Sequence, residues 1–139
     1  MSDGMCLLHS YREVLRRTEQ GENVLYVQGK VTNSASGKSF LHAWVETDND
    51  EVIDPTIDVK MSKNEYYSIY NPTDIIKVEE PIMTLLCARG AKFFTEPQVR
   101  RAIDIHNQYL KAKSIKNIKL RKKKIIKSKP KRKVCRCKK

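Results

Sequence analysis

Nothing in this sequence constrains the fold more than residues 40–54. "FLHAWVET" and "EVID" flank the tripeptide "DND". Two β-rich runs around a short Asp/Asn turn read as an antiparallel hairpin. With a loop of two or three residues, Thr47 pairs with Asp50 or Glu51, and His42 falls opposite residue 55 or 56. His42 and Asp54 are then cross-strand or diagonal neighbours, with Cβ atoms within roughly 4.5–8 Å. Alternation places Phe40, His42, Trp44 and Glu46 on one face and Leu41, Ala43 and Val45 on the other. The second face is the plainly apolar one and is expected to cover the core. The first is expected to border a partly covered cleft.

Around this hairpin the remaining elements can be placed. Met5, Leu8 and Leu15 recur at helical spacing over residues 5–18, with Ser2, Asp3 and Gly4 suited to the helix entry and Gly21 to its stop. Residues 24–32, "VLYVQGKVT", read as a strand, and "NSASGKS" as a polar loop. After Pro55 the pattern weakens. "NEYYSIY" fits a short helix or an irregular aromatic segment, and "TDIIKVEE" fits a strand. Residues 81–89 read as a helix opened by Pro81 and closed by Gly90. A last helix is capped by Thr95 and presents Val99, Ala102, Ile103, His106 and Leu110 on one face. The order predicts an α+β domain over residues 1–110, with an N-terminal helix packed on a small antiparallel sheet and C-terminal helices following.

The formal charge of +12 is unevenly spread. Residues 1–110 carry 12 Lys/Arg against 16 Asp/Glu, a net of −4, whereas residues 111–139 carry 16 Lys/Arg and no acid. The basic character therefore belongs to a C-terminal extension, disordered or helical, and not to the domain. Lys119, Arg121, Lys122, Lys123, Lys124, Lys131, Arg132 and Lys133 are its candidate contacts to nucleic acid or to an anionic membrane surface. "PKRKV" resembles a nuclear-import signal, which would matter in a eukaryotic cell. A solubilising extension with no ligand is the plainer alternative. "CRC" offers two thiols without a second ligand pair, so no metal is expected. No basic segment followed by an apolar run opens the chain, and no stretch approaches the roughly 18 apolar residues of a spanning helix. Cys6, Cys87, Cys135 and Cys137 make a poor disulfide framework, so an intracellular protein with free thiols is expected.

A His beside an Asp is an oriented imidazole: the carboxylate engages one ring nitrogen and leaves the other as a base. Such a base serves a nucleophile, and Cys6 in "DGMC" stands where a helix begins. Helix N-termini and cationic neighbours favour the thiolate, and the free backbone N–H groups there can form an oxyanion hole. Gln28, on the neighbouring strand, is a candidate to complete that hole, and Trp44 to line the substrate cleft.

"GMCLLHSYREVL", "FLHAWVE" and "EVIDPT" together resemble the three core blocks of the transglutaminase-like branch of the papain-like superfamily. The likeness spans residues 4–56, about 40% of the chain. It implies a papain/transglutaminase-like core with Cys6 as nucleophile, His42 as general base and acid, and Asp54 as orienting carboxylate. It also implies a covalent thioester step on a peptide or protein substrate, without cofactor or metal. Hydrolysis is expected over cross-linking because it needs no second substrate site.

Blander readings stand beside these. Cys6 suits a buried small hydrophobe at a helix start. Asp54 suits a strand-ending turn, and Asp58 is its rival. His9 is a rival base without an acid. Glu46 reads as a solvated strand residue, and His106 and Cys87 as packing. The alternative function is a binding module with a weak or inactive site, acting through residues 111–139.

Overall fold

The computed structural model describes residues 5–88, 90 and 92–137, with side chains up to Lys119. Helix α1 (Met5–Glu19) ends as its sequence requires. Gly21 takes φ +82°, a left-handed value open to glycine, while the Glu22 N–H returns to the Arg17 carbonyl at 3.0 Å. The expected entry residues Ser2, Asp3 and Gly4 lie outside the described residues.

Strands β1 (Val24–Thr32) and β2 (Ser39–Thr47) pair antiparallel over their whole length, from Val24 opposite Thr47 to Thr32 opposite Ser39. β3 (Glu51–Asp54) follows the "DND" turn, where Asp50 adopts φ +55° and the Thr47 hydroxyl accepts from the Asn49 and Glu51 amides. Val45 lies opposite Ile53 and Glu46 opposite Val52, the register of a three-residue loop. Two elements follow that the weak periodicity after Pro55 did not resolve. β4 (Val59–Ser62) pairs with β3, and α2 (Lys63–Tyr70) starts where the Ser62 hydroxyl accepts from the Glu65 amide. α2 ends at Asn71 in the left-handed region.

β5 (Thr73–Val78) joins the opposite edge beside β1, completing a five-stranded antiparallel sheet in the order β4-β3-β2-β1-β5. Gly29 sits at the irregularity in the β1–β5 pairing, where a Cβ would come within 2.9 Å of the Thr73 carbonyl oxygen. The fold class is therefore α+β. α3 (Glu80–Cys87) carries Pro81 in its first turn, and Gly90 beyond it has φ +123°. α4 (Glu96–Cys137) opens on a reciprocal cap, the Thr95 hydroxyl accepting from the Gln98 amide and the Gln98 side chain from the Thr95 amide.

Both faces of the sheet are buried, so the Trp44 face is covered more fully than the partly covered cleft expected there. Ala43 and Val45 pack with Cys6, Leu7 and Val14 of α1 and with Ile82, Met83 and Leu86 of α3. On the other face Val27, Val31, Trp44 and Val52 pack with Tyr66 of α2. The chain passes from the β4 edge to the β5 edge through α2, and its tyrosines seal the Trp44 face. On α4, Val99 and Ala102 join the core, whereas Ile103 and Leu110 of the expected apolar face are exposed. Residue contacts divide the chain into two units, Met1–Ile103 and Asp104–Lys139. Among the described residues no helix is long and apolar enough to cross a membrane.

Candidate active site

His42 lies on the part of β2 that runs past its pairing with β3, and Asp54 is the last residue of β3. The hairpin register brings them together: His42 Nε2 is 2.7 Å from Asp54 Oδ2. Both are buried, His42 at 5% exposure and Asp54 at none. Engaging Nε2 leaves Nδ1 as the free ring nitrogen.

Burial acts most strongly on the His42 ring and opposes its charge. The Asp54 hydrogen bond outweighs it together with interaction with the Cys6 side chain and the charges of both groups, so the pKa is pushed up to about 9. Cys6 thus neighbours the ring from the first turn of α1, 5% exposed. The Thr56 hydroxyl and His9 Nδ1, 3.4 Å apart, tie α1 to the chain just beyond Asp54. That contact gives His9 a place beside the site, while Asp58 is exposed in a turn at φ +52°. Of the two candidate acids, Asp54 is the one that meets His42.

Asp54 receives two further donors. The Tyr66 hydroxyl reaches the same Oδ2 at 2.6 Å, and the Thr56 amide reaches Oδ1 at 3.2 Å. Tyr66 is fully buried, and burial followed by the Asp54 charge drives its own ionisation far out of range. Reading the sequence did not single out Tyr66. The signal was the tyrosine cluster of "NEYYSIY", twelve residues after Asp54.

Trp44 lies beneath the imidazole, stacked at 6.3 Å between centroids with a 28° tilt, and has no exposed surface. It supports the ring from within the core and does not reach an open cleft. Phe40 meets the ring edge-on at 5.9 Å and is 46% exposed, so the open side of the imidazole has an aromatic border.

Glu46, expected to be solvated, is instead 4% exposed. Its carboxylate accepts from Trp44 Nε1 at 3.0 Å, the Tyr67 hydroxyl at 2.6 Å and Lys77 Nζ at 2.7 Å, with Lys63 Nζ at 3.7 Å. Burial works to raise its pKa, but these donors and the Lys77 charge hold it below the usual carboxylate range. A buried carboxylate needs such partners, and here they lock the indole that supports His42.

Gln28 is buried on the α1 side of the sheet. Its side-chain amide donates to the Phe94 carbonyl at 2.7 Å and accepts from the Phe94 amide and the Tyr26 hydroxyl, each at 3.2 Å. It fastens the segment before α4 to the sheet. Cys87, at the end of α3, is half-buried, and burial pushes its thiol up. Ser10, one turn after Cys6, has a buried hydroxyl without a partner among the described residues.

Among the described residues no three His, Cys, Asp or Glu side chains are grouped to hold a metal ion. Lys119 is exposed on α4. The side chains of Arg121, Lys122, Lys123, Lys124, Lys131, Arg132 and Lys133, and of Cys135 and Cys137, lie outside the described residues. No family model, curated protein or solved structure matches the chain.

Proposed function

We propose that this chain is a cysteine hydrolase of papain/transglutaminase-like architecture, cleaving an amide bond in a peptide or protein through Cys6, His42 and Asp54. The reading rests above all on the buried His42–Asp54 pair, with Cys6 at a helix start beside the ring. A core position filled for packing alone would be occupied by an apolar side chain, because burying a charged pair is costly unless it is held by further hydrogen bonds. Asp54 has those bonds.

In the proposed reaction the Cys6 thiolate attacks the substrate carbonyl, and the oxyanion is met by backbone N–H groups at the start of α1. The C–N bond breaks as His42 gives its proton to the leaving amine, which produces a thioester on Cys6. His42 then takes a proton from water. The hydroxide so formed attacks the thioester, releasing the acid and the Cys6 thiolate and leaving the proton from water on His42. Asp54 holds the ring by Nε2 throughout, and Trp44 fixes its plane.

The test is incubation of the protein with a diverse peptide mixture, with cleavage products read by mass spectrometry. New termini should appear with the wild type and vanish with Cys6→Ala and with His42→Ala. Products that persist in Cys6→Ala would refute the assignment.

A further inference from the structure

We propose that Tyr66 tunes His42 through Asp54: by donating to the carboxylate oxygen that His42 also uses, it draws charge from Asp54 and eases release of the ring proton. This deepens the hydrolase reading and rests on it for its catalytic meaning, but its physical content concerns only the trio of side chains.

Asp54 Oδ2 has two donors at short range, His42 Nε2 at 2.7 Å and the Tyr66 hydroxyl at 2.6 Å, with Asp54 and Tyr66 fully buried. The two bonds compete for one oxygen. When His42 is cationic, the ring already neutralises the carboxylate, and the Tyr66 bond adds little. When His42 is neutral, the carboxylate keeps the Nε2–H and Thr56 amide bonds but loses the cation that balanced its charge, and the hydroxyl bond is worth most. Tyr66 therefore stabilises the neutral-histidine state more than the charged one. A base that must also act as an acid needs such a restraint, since a proton held too firmly by the His42–Asp54 pair would not reach the leaving amine.

Other ionisable groups face the trio. Cys6 approaches from α1, and Tyr70 packs on Tyr66 from within α2, the rings tilted at 41° with centroids 4.6 Å apart. Asp54 also borders a surface hollow lined by Glu13, Arg16 and Arg17 of α1, by Asp58 in the β3–β4 turn and by Lys60 of β4. Glu13 is paired with both arginines. None of these shares the Asp54 oxygen with His42 among the described residues, so removal of the Tyr66 hydroxyl isolates one contact.

The experiment is an NMR titration of the His42 ring nitrogens, which a chain with three histidines allows to be assigned. It is run on the wild type, on Tyr66→Phe, and on both in a Cys6→Ala background. Phenylalanine keeps the ring that packs on Trp44 at 5.3 Å. The proposal requires the His42 midpoint to rise in Tyr66→Phe by roughly half a pH unit or more, with and without Cys6. A midpoint that stays or falls overturns it, since mere loosening of the pair would move His42 towards an ordinary histidine. Should Tyr66→Phe not fold, 3,5-difluorotyrosine placed at position 66 makes a stronger donor. It must lower the midpoint, and an unchanged or raised value refutes the proposal. Because the readout is protonation, it stands apart from the hydrolase reading, which is decided by peptide cleavage.

Discussion

Replacing Asp54 by Asn tests the electrostatics of the site through stability. The His42 pKa is pushed up to about 9 in the folded chain, against an ordinary 6.5 when unfolded. Folding thus raises the proton affinity, and the folded state keeps a proton between those values that the unfolded chain has released. The resulting stabilisation is fully present below pH 6.5, is lost as pH rises through about 9, and is absent above it. A shift from 6.5 to about 9 corresponds to something on the order of 3 kcal/mol. His42 is buried, so solvent screening removes little of this. Asp54→Asn keeps an acceptor for the Tyr66 hydroxyl but deletes the charge behind the largest upward contribution. Urea unfolding at pH steps from 6 to 10 measures the loss. The wild type should weaken across this window by roughly 2–3 kcal/mol more than Asp54→Asn does. Equal pH dependence in the two proteins would refute the reasoning, because other titrating groups are common to both.

Three further outcomes follow from the packing. Glu46→Gln should cost about 1–3 kcal/mol by denaturant unfolding, since it strips charge from a buried acceptor of Trp44, Tyr67 and Lys77. Because Glu46 titrates low when folded, its share of stability is present above the ordinary carboxylate range and is lost as pH falls through its lowered value; the variant should show a flatter acid limb. Gly29→Ala should destabilise by about 1–3 kcal/mol in the same assay, as its Cβ would meet the Thr73 carbonyl at 2.9 Å. Ser10→Ala should be neutral or stabilising by up to about 1 kcal/mol, because it removes a buried hydroxyl that has no partner among the described residues.

The hairpin was legible because period-two alternation and a short polar turn are local signals, and the His42–Asp54 contact follows from register alone. α1, β1 and the Thr95 cap were legible for the same reason: each is defined by residues within a few positions. β4 is four residues long, and although "VKMS" alternates apolar and polar, two periods are too few to stand out as a strand. α2 turns its tyrosines inward at Tyr66 and Tyr70, one turn apart, with Tyr67 between them reaching Glu46, a pattern that aromatic clustering obscures. With β4 unread and "NEYYSIY" left between a short helix and an irregular segment, the Trp44 face was expected to border a partly covered cleft. Glu46 was misjudged because its partners are remote in sequence: Tyr67 lies 21 positions away and Lys77 lies 31. A local reading sees an acid at a strand end, while the fold supplies two cations, a phenol and an indole. Tyr66 was hidden likewise, since a phenol aimed at a carboxylate cannot be told by composition from one that packs.

The most direct test of the central claim is the rate of alkylation of Cys6 and Cys87 between pH 5 and 9, read by peptide mass spectrometry in the wild type and in His42→Ala. The account predicts that Cys6, although 5% exposed, reacts fast at pH 6 and that His42→Ala removes the advantage. Cys6 reacting no faster than Cys87 at pH 6, or equally fast without His42, would contradict the thiol–imidazole pairing on which the proposed chemistry depends.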